Sequence, residues 1–456
     1  MFPGNGWADR SRVRDMRQRK DAESRSPGEL GKEMHQLIQE LYPVCRSITG
    51  NGFRETLQHV QRHVPMSVSE VPTGTRVFDW TVPKEWNIRE AYIRSTTGRT
   101  VIDFRNSNLH VVNYSTPVKR RMALRELQDH LFSLPDHPEW IPYRTSYYKE
   151  NWGFCLSHKQ LSELQEGEYD VVIDSTLAEG HLTYGECYLK GEQEDEILIS
   201  CHACHPSLCN DNLSGIAVAT FLAKWLCAQP LKYSCRILFI PATIGSIAWL
   251  AKNQGRVSRI KHGFVLTGVG DAGPLTYKKS RNGSAEVDRA FCHVLRHAGH
   301  QHTIVDFTPY GYDERQYCSP GFDLPVGCLM RTPHGQYPEY HTSADNLEFV
   351  KPESLAGSLS LCKDAMDVLQ HNGTYVNTNP FCEVQLGRRG LYRAIGGQAG
   401  EHLSELGLLW ILNLSDGRHS LLDIAERSGY PFKLIREGAT VLMQHGLLRE
   451  SASGHV

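Results

Sequence analysis

The sequence lacks a long apolar run, an excess of charge of either sign, and a regular cysteine framework. No apolar stretch approaches the roughly 20 residues that a membrane-spanning helix needs, so we expect no membrane partner. The 49 Lys and Arg side chains nearly balance the 51 Asp and Glu side chains, and the formal net charge is −2. This balance gives no indication of a nucleic acid or another polyanion as partner.

The 13 cysteines are odd in number and are scattered without the dense spacing of a disulfide scaffold. We interpret most of them as buried thiols of a cytoplasmic protein. Cys201 and Cys204 form a Cys-x-x-Cys pair, but no second pair follows at the spacing of a zinc ribbon. The N-terminus is polar and arginine-rich without an apolar signal segment, so we predict a disordered arm over residues 1–28.

The length of 456 residues allows two or three domains. Short apolar runs alternate with helical spacing over residues 29–70 and 156–378, which predicts an α/β domain with a mostly parallel mixed sheet flanked by helices. Within it, residues 169–174 and 182–188 are typical of a hairpin turning at Glu179 and Gly180. The predicted strands are 197–200, 235–240, 263–266 and 324–329, and the predicted helices are 216–225, 245–251, 290–298 and 353–369.

Prolines and short alternating stretches mark residues 71–155, which predicts an inserted β-rich domain. We expect Trp80, Trp86, Trp140 and Trp152 to form its core rather than a substrate platform. Residues 379–456 show three short helical patterns and a final apolar strand, which predicts a winged-helix-like domain. From Glu383 to Glu450 there are eight Lys or Arg and eight Asp or Glu, so we expect packing or homo-oligomerisation there rather than DNA binding.

Two histidines and an aspartate follow the predicted strand at 197–200 and precede a helix. His202, His205 and Asp211 therefore lie where open α/β sheets bind ligands, at the carboxyl end of a strand. Imidazole and carboxylate together suit zinc and its divalent neighbours. The alternative is that Asp211 and Ser214 cap the following helix and that the histidines are solvated loop residues.

Further candidate ligands and catalytic groups follow other predicted strands and loops. Asp271 follows another predicted strand. Asp313 and Glu314 lie in one glycine-containing loop, and Glu339 and His341 lie in another. Each of these residue types is more often solvated than functional. Four such loops around one sheet favour a shared site.

Two motifs make the chain resemble the zinc aminopeptidase superfamily, which also contains glutamate carboxypeptidase and the transferrin receptor ectodomain. Asp-Asn-Leu-Ser-Gly at residues 211–215 is similar to the family's motif whose aspartate bridges two zinc ions. Tyr-His-Thr at residues 340–342 is similar to its closing segment, which implies that His341 is the last ligand. Tyr312-Asp-Glu is similar to its Ser-Asp-His loop. The resemblance covers residues 29–68 and 170–369.

The whole layout also resembles a bacterial aminopeptidase-like subfamily of unassigned activity, with a β-rich insert and a C-terminal winged helix. The segments that carry this resemblance are 45–50, 77–83 and 141–148. The chain departs from the superfamily where two adjacent glutamates, a base and a zinc ligand, are expected. Ala242 stands there and can neither accept a proton nor bind metal. Thr267 stands where a further aspartate ligand is expected, and Asp271 lies four residues on.

Two interpretations follow from the resemblance. In the first, one zinc ion rather than two is held by His205, Asp211 and His341, with Asp271 as a further ligand, and His202 competes with His205 for the role of first ligand. The chain is then an aminopeptidase-like metallohydrolase that acts on a small aminoacyl amide or short peptide.

The loop containing Asp313 and Glu314, or else Glu339, would supply the missing base, and Arg315 would stabilise an oxyanion or a substrate carboxylate. In the second interpretation, loss of the glutamates leaves a non-catalytic metal- or ligand-binding protein. A winged-helix regulator is the third alternative. We favour hydrolysis.

Overall fold

The computed structural model describes residues 25–391 and 404–451. Most of the predicted N-terminal arm lies outside these residues, but Pro27 and Gly28 open the first helix. Ser26 caps this helix, because its hydroxyl accepts from the Glu29 N–H while the Glu29 carboxylate accepts from the Ser26 N–H.

The helices and strands are numbered in chain order. The helices are α1 (Pro27–Leu41), α2 (Asn51–Gln61), α3 (Leu124–Leu127), α4 (His158–Ser162), α5 (Gly215–Leu226), α6 (Ile244–Asn253), α7 (Glu286–His297), α8 (Glu314–Tyr317), α9 (Pro352–His371), α10 (Glu405–Leu414), α11 (Leu421–Ser428) and α12 (Phe432–Gln444). The strands are β1 (Ser67–Pro72), β2 (Arg76–Val77), β3 (Trp80–Thr81), β4 (Glu85–Ser95), β5 (Thr100–Asp103), β6 (Val118–Ala123), β7 (Leu131–Phe132), β8 (Phe154–Cys155), β9 (Glu168–Ala178), β10 (His181–Leu189), β11 (Gln193–His202), β12 (Tyr233–Ile240), β13 (Ile260–Leu266), β14 (Leu275–Lys278), β15 (His302–Val305), β16 (Val326–Met330), β17 (Thr374–Asn377), β18 (Asp416–Ser420) and β19 (Leu448–Glu450).

The chain forms two compact units. One runs up to Gly283 and takes in Gln301–Ser360, and the other comprises Ser284–His300 and the chain from Leu361 onward. The first unit contains an eight-stranded mixed sheet in the order β1-β10-β12-β11-β13-β16-β14-β15. Its centre is parallel, since β11 pairs in parallel with both β12 and β13, and β13 with β16. The predicted mostly parallel mixed sheet is thus confirmed.

Central strands of this sheet are apolar on both faces. Ile197, Leu198 and Ile199 of β11 are all fully buried, and so are Phe264 and Val265 of β13. A parallel strand covered on both sides cannot alternate apolar and polar residues, because neither face meets water. This is why the unbroken apolar runs in the sequence located these strands correctly.

The sheet of the insert extends beyond the predicted boundary at residue 155, because it includes β9. Strands β4, β5, β6 and β9 form a separate antiparallel sheet in the order β5-β4-β9-β6. The predicted hairpin of 169–174 with 182–188 is therefore wrong, because β9 pairs with β4 and β6 while β10 pairs with β1 and β12. The hairpin was predicted because the link between the two segments, at Glu179 and Gly180, is short and contains a glycine. Val171 and Ile173, however, are buried in the core of the insert sheet.

The second unit contains the winged helix. Strands β17, β18 and β19 form a three-stranded sheet, and α10, α11 and α12 pack beside it. Because β17 begins at Thr374, this sheet starts before the predicted boundary at residue 379. Helix α7, which we assigned to the α/β domain, also belongs to this unit. The hydrogen bond from the Phe432 N–H to His293 Nε2 joins α7 to the start of α12.

Two further findings concern the membrane and the cysteines. In the described part of the chain no helix is both long and apolar enough to span a bilayer. All 13 cysteines lie in that part, and each is a free thiol. The cytoplasmic location stays a prediction.

A buried ion pair joins two central strands and gives the first testable prediction. Arg236 of β12 binds the Glu196 carboxylate of β11 through Nε at 2.6 Å and Nη2 at 2.7 Å, and both side chains are 3% exposed. Replacing Glu196 by Gln removes the bidentate partner and leaves the guanidinium with one carboxylate, Glu186, which accepts from Nη1 at 2.6 Å. Because Glu186 still compensates part of the charge, we expect this substitution to lower the free energy of unfolding by about 1–3 kcal/mol.

The matched control lies two residues earlier on the same strand. Glu194 pairs with Arg259 at 3.1 Å, but its side chain is 81% exposed, so Glu194→Gln should change stability by less than about 1 kcal/mol. Urea unfolding followed by circular dichroism measures both. Equal effects of the two substitutions would contradict the importance of the buried pair.

Candidate functional site

The carboxyl ends of three central strands meet at one edge of the sheet. His202, the last residue of β11, lies opposite Ile240 at the end of β12, and Cys201 lies opposite Leu266 at the end of β13. A π-helical turn, Cys209–Ser214, then leads into α5. Functional side chains on these loops therefore face the crevice where open α/β sheets bind ligands.

Four side chains at this edge of the sheet lie close together. His202 Nε2 lies 2.8 Å from Asp211 Oδ1, and His341 Nε2 lies 3.0 Å from Asp211 Oδ2. The donor atoms of His202, His205 and Asp211 lie within 4.8 Å of one another. The His341 ring centroid is 5.2 Å from that of His205. We call these four residues the His/Asp cluster.

The protonation states of the cluster suit a metal. Burial lowers the pKa of His205 to about 3, so its imidazole is neutral at physiological pH. Burial alone would raise the pKa of Asp211, but the hydrogen bonds from His202 and His341 help to hold that pKa well below its usual range. Neutral imidazole and ionised carboxylate are the forms that bind a divalent cation. The donor set therefore fits zinc.

The alternative of a capped helix does not hold. Ser214 makes no capping hydrogen bond to α5, and its hydroxyl donates to the Asn210 carbonyl at 2.7 Å instead. The Asp211 oxygens accept from histidines. The histidines are not solvated, because His202 is fully buried and His205 is partly buried.

Neighbouring polar groups fix the loop that carries Asp211. The Asp345 carboxylate accepts from the backbone N–H of Asn210 at 2.5 Å and of Asp211 at 3.0 Å. Burial raises the pKa of Asp345 to about 8, against the opposing effect of these two N–H groups. Asn212 donates to the carbonyls of His202 and Leu266, which ties the ends of β11 and β13 together.

A buried arginine holds the loop of His205. Arg46 donates from Nε to the His205 carbonyl at 3.0 Å and from Nη1 to the Leu41 carbonyl at 2.7 Å. Leu41 is the last residue of α1, so Arg46 binds the negative end of that helix. It supports the cluster through the backbone.

His341 is held in an unusual backbone conformation. Its φ angle of +55° is in the left-handed region, which costs roughly 1–3 kcal/mol for a non-glycine residue. The Tyr143 N–H donates to its carbonyl at 2.8 Å, and the Tyr340 ring stacks on its imidazole at 4.0 Å. These contacts, one of them from the insert, hold the ring toward Asp211.

Asp271 does not join the cluster, which corrects the prediction that it is a ligand. Its carboxylate accepts from Asn210 Nδ2 at 3.0 Å, from the Gly273 N–H at 2.7 Å and from Thr332 Oγ1 at 2.6 Å. These donors occupy both oxygens. Asp271 fixes the loop after β13 rather than facing the metal site.

The structure places the predicted bases Glu314 and Glu339 outside the pocket lining. Glu314 is fully buried, and its carboxylate accepts from Lys278 Nζ at 2.9 Å and from the Tyr312 N–H at 3.1 Å. The Glu339 carbonyl accepts from Thr342, and no described hydrogen bond engages its carboxylate. Neither residue lines the pocket beside the cluster. The structure thus does not bring these two predicted bases to the reacting position.

Asp313 is also buried, directly before Glu314. Ser246 donates to its Oδ1 at 2.7 Å, and its Oδ2 has no hydrogen-bond partner in the described part of the chain. Burial raises the pKa of Asp313 to about 6, while the nearby His202 opposes the rise. Asp313 therefore acts on His202 electrostatically from behind.

A pocket of about 300 Å³ opens in front of the cluster. Of the predicted catalytic residues, Arg315 alone is among the described residues that line this pocket. The pocket is lined by Trp80, Tyr147, Tyr148, His202, His205, Ala242, Thr243, Tyr310, Gly311, Tyr312, Arg315, His334 and Tyr340. Trp80 is 45% exposed, so it forms a wall of the pocket rather than part of the insert core as we expected.

Comparison with known proteins identifies the family. Residues 35–372 match the family model described as a domain of unknown function (DUF4910), and residues 373–450 match a winged helix-turn-helix model. The first match spans well over half of the chain. The chain belongs to the DUF4910 family.

A curated relative and a solved structure, both from Clostridium acetobutylicum, cover nearly the whole DUF4910 chain. The curated relative, named as a candidate polysaccharide biosynthesis protein with an aminopeptidase-like domain, is 51% identical over 92% of this chain and 97% of its own. The solved structure, described as that of a candidate peptidase, aligns with a TM-score of 0.90 and 48% identity over 96% of this chain and 100% of its own.

More distant structures identify the fold. A zinc aminopeptidase from Bacillus subtilis aligns with a TM-score of 0.54 and 14% identity over 74% of this chain and 94% of its own. A peptidase M28 precursor from Shewanella amazonensis aligns with a TM-score of 0.51 and 14% identity over 78% and 97%. The DUF4910 chain therefore has the zinc aminopeptidase fold followed by a winged helix, as the motifs indicated.

Two functional residues of the DUF4910 chain were missed or left open at the sequence level. The motifs did not decide between His202 and His205, and the structure places both beside Asp211. No role was predicted for Asp345. Asp345 follows His341 by four residues, which places it in the same segment. This spacing does not predict its contact with the backbone of Asn210 and Asp211, because a contact with backbone N–H groups leaves no pattern in the sequence.

Removal of cluster donors should abolish zinc binding. We expect His205→Gln and Asp211→Asn to weaken zinc affinity by more than the roughly 10- to 100-fold typical of losing an outer partner. Competition with a chromogenic zinc chelator measures the affinity. Folded Asp271→Asn and the control His137→Gln, in a residue stacked on Trp140, should bind zinc as the unmodified chain does. Loss of affinity in Asp271→Asn alone would restore Asp271 as the ligand.

Asp345 should affect zinc binding indirectly. An Asn at this position turns an N–H₂ group toward one of the two backbone N–H donors, so the Asp211 loop loses an acceptor. We expect Asp345→Asn to lower zinc affinity about 10- to 100-fold while one ion per chain still binds at saturation. Unchanged affinity would show that Asp345 does not position Asp211.

Proposed function

We propose that the protein is a metal-dependent hydrolase of a small amide or short peptide, with one zinc ion held by the His/Asp cluster. The observation that carries the proposal is the meeting of His202, His205 and His341 around the Asp211 carboxylate beside a pocket. Three imidazoles and one carboxylate match the donor preference of zinc.

One ion fits this donor set better than two. A second ion needs its own donors, and the superfamily resemblance places them at the positions of the adjacent glutamates and of Thr267. Ala242 cannot supply a donor, and Asp271 is engaged elsewhere. The three donors His202, His205 and Asp211, which lie within 4.8 Å of one another, are enough to hold a single ion.

A zinc ion bound here would polarise a substrate carbonyl and lower the pKa of a coordinated water to about 7. The protein's own residues supply position and shielding. Asp211 keeps the imidazoles in place, and Asp345 keeps Asp211 in place. Tyr312 stacks on His202 with ring centroids 5.4 Å apart, which excludes water from that side of the cluster.

The absent base sets an expectation for the rate. Among the described residues that line the pocket, none is Asp or Glu. General-base assistance typically contributes roughly 10² to 10⁴ in rate. We therefore expect the protein to be a slow hydrolase, with a rate limited by the missing proton acceptor.

This same observation favours a second candidate function. A pocket with metal donors but without a carboxylate in its described lining also suits a protein that binds a metal and a ligand without turnover. Such a protein would retain zinc and ligand affinity and release no product from any amide.

The winged helix supports a packing role over DNA reading. The start of α12, which reads bases in DNA-binding winged helices, is covered by His293 of α7. Arg436 on α12 pairs with Asp367 of α9, and Arg289 of α7 binds Asp423 and Glu426 of α11. These two arginines are thus paired within the unit. Dimerisation through this domain stays a proposal.

Restoring the glutamate tests the hydrolase proposal directly. Ala242 lines the pocket beside the cluster, so Ala242→Glu places a carboxylate at the position of the superfamily's base. With zinc present we expect release of amine to rise by about 10²- to 10⁴-fold. The substrate panel comprises aminoacyl amides, N-acyl amino acids, short peptides and amide-bearing sugars, the last because of the name of the Clostridium relative.

Ala242→Gln is the matched control, since it has the same size without a basic oxygen, and it should stay at the rate of the unmodified protein. Chelator should abolish turnover and zinc should restore it. If neither the unmodified chain nor Ala242→Glu cleaves any member of the panel with zinc bound, the hydrolase proposal fails and the binding function remains.

A further inference from the structure

Two nitrogen atoms in the pocket wall lack a hydrogen-bond partner within the described residues. They are Arg315 Nε and His334 Nδ1, and both atoms are buried. Both residues line the pocket together with His202 and His205. Buried polar atoms in folded proteins are nearly always paired, so an unpaired one needs an explanation such as an absent ligand group.

The charge of Arg315 is not neutralised by a direct contact. The described part of the chain offers its guanidinium neither a hydrogen bond nor an ion pair. The adjacent Glu314 is turned to Lys278 at 2.9 Å, and the Asp313 Oδ1 accepts from Ser246. These two carboxylates are buried behind the pocket. The fixed charge that the described lining presents to a ligand is therefore positive.

This arrangement is the reverse of what a free amino terminus requires. A substrate ammonium group would need a carboxylate in the wall, and no described lining residue is Asp or Glu. Beside Arg315 it would instead meet a like charge. A carboxylate on the substrate matches the guanidinium, whose planar N–H groups bind it in a bidentate manner.

The aromatic side chains define the rest of the pocket. Tyr310 and Tyr312 flank His334, with ring centroids at 5.5 Å and 5.3 Å from its own. At the mouth, Trp80 and Tyr148 lie 5.3 Å apart and are 45% and 55% exposed. Exposed rings at a pocket mouth suit the flat or apolar part of a ligand.

We propose that Arg315 and His334 form a carboxylate-binding subsite, and that the substrate is an anionic amide without a free amino group near the cleaved bond. This inference rests on the proposed function because the amide is placed against the His/Asp cluster. It narrows the substrate class from aminoacyl compounds to acylated, carboxylate-bearing ones. Arg315 is thereby assigned to the substrate carboxylate rather than to an oxyanion.

A pair of matched probes tests the subsite. N-Acetyl-L-tyrosine carries a carboxylate and no ammonium group, while L-tyrosinamide carries an ammonium group and no carboxylate. Isothermal titration calorimetry on the full chain should give at least tenfold tighter binding of N-acetyl-L-tyrosine. The preference should persist after chelation of metal, because Arg315 and His334 are not cluster donors.

Substitutions show which side chains cause the preference for the carboxylate probe. Arg315→Gln should weaken binding of N-acetyl-L-tyrosine at least tenfold and remove the preference, and Arg315→Lys should retain part of it. His334→Phe keeps a ring but removes both nitrogens, so it provides a second test if Arg315→Gln does not fold. The control is Arg89→Gln, in an arginine whose side chain is 80% exposed and pairs with Asp174, and it should bind both probes unchanged.

The two proposals fail separately. Equal or tighter binding of L-tyrosinamide, binding of neither probe, or a preference that survives in both Arg315→Gln and His334→Phe would overturn the subsite. A carboxylate preference without turnover of any amide would leave the subsite standing and overturn only the hydrolase.

Discussion

A carboxylate buried as completely as that of Asp211 has to be compensated at both oxygens, and two imidazoles from distant parts of the chain do so. His202 lies at the end of β11, and His341 lies in a loop 130 residues after Asp211. Burial penalises an isolated charge so strongly that the site cannot form without these partners. Asp345, Asn212 and Arg46 then hold the backbone on which the partners stand. The geometry of the cluster is thus built into the folding of the sheet.

The same fold presents a different pocket chemistry from that implied by the superfamily resemblance. Alanine replaces the acid next to the cluster, and the remaining carboxylates, Asp313 and Glu314, are turned into the protein interior. The described lining carries Arg315 as its fixed charge. Ala242 thus provides no base, and the described lining provides no carboxylate. This absence of an acid links the proposed slow chemistry with the proposed anionic substrate.

Most of the fold followed from the sequence because its signals are local. Unbroken apolar runs identified β11, β12 and β13, and the Asp-Asn-Leu-Ser-Gly motif identified the loop at their carboxyl ends. The prediction failed where partners are chosen by tertiary packing. Strand β9 fits a hairpin with β10 by spacing, but its apolar face fills the core of the insert sheet. Asp271 follows a strand end as a ligand would, but Asn210 and Thr332 bind its carboxylate.

The central claim is that the side chains of His202, His205, Asp211 and His341 together hold one zinc ion. An anomalous difference map, measured at the zinc edge on crystals grown with zinc, tests it most directly. The account predicts a single peak bounded by His202, His205, Asp211 and His341, with one side open to the pocket. A second peak near Thr267 or Asp271, or no peak at the cluster in zinc-saturated crystals, would contradict it.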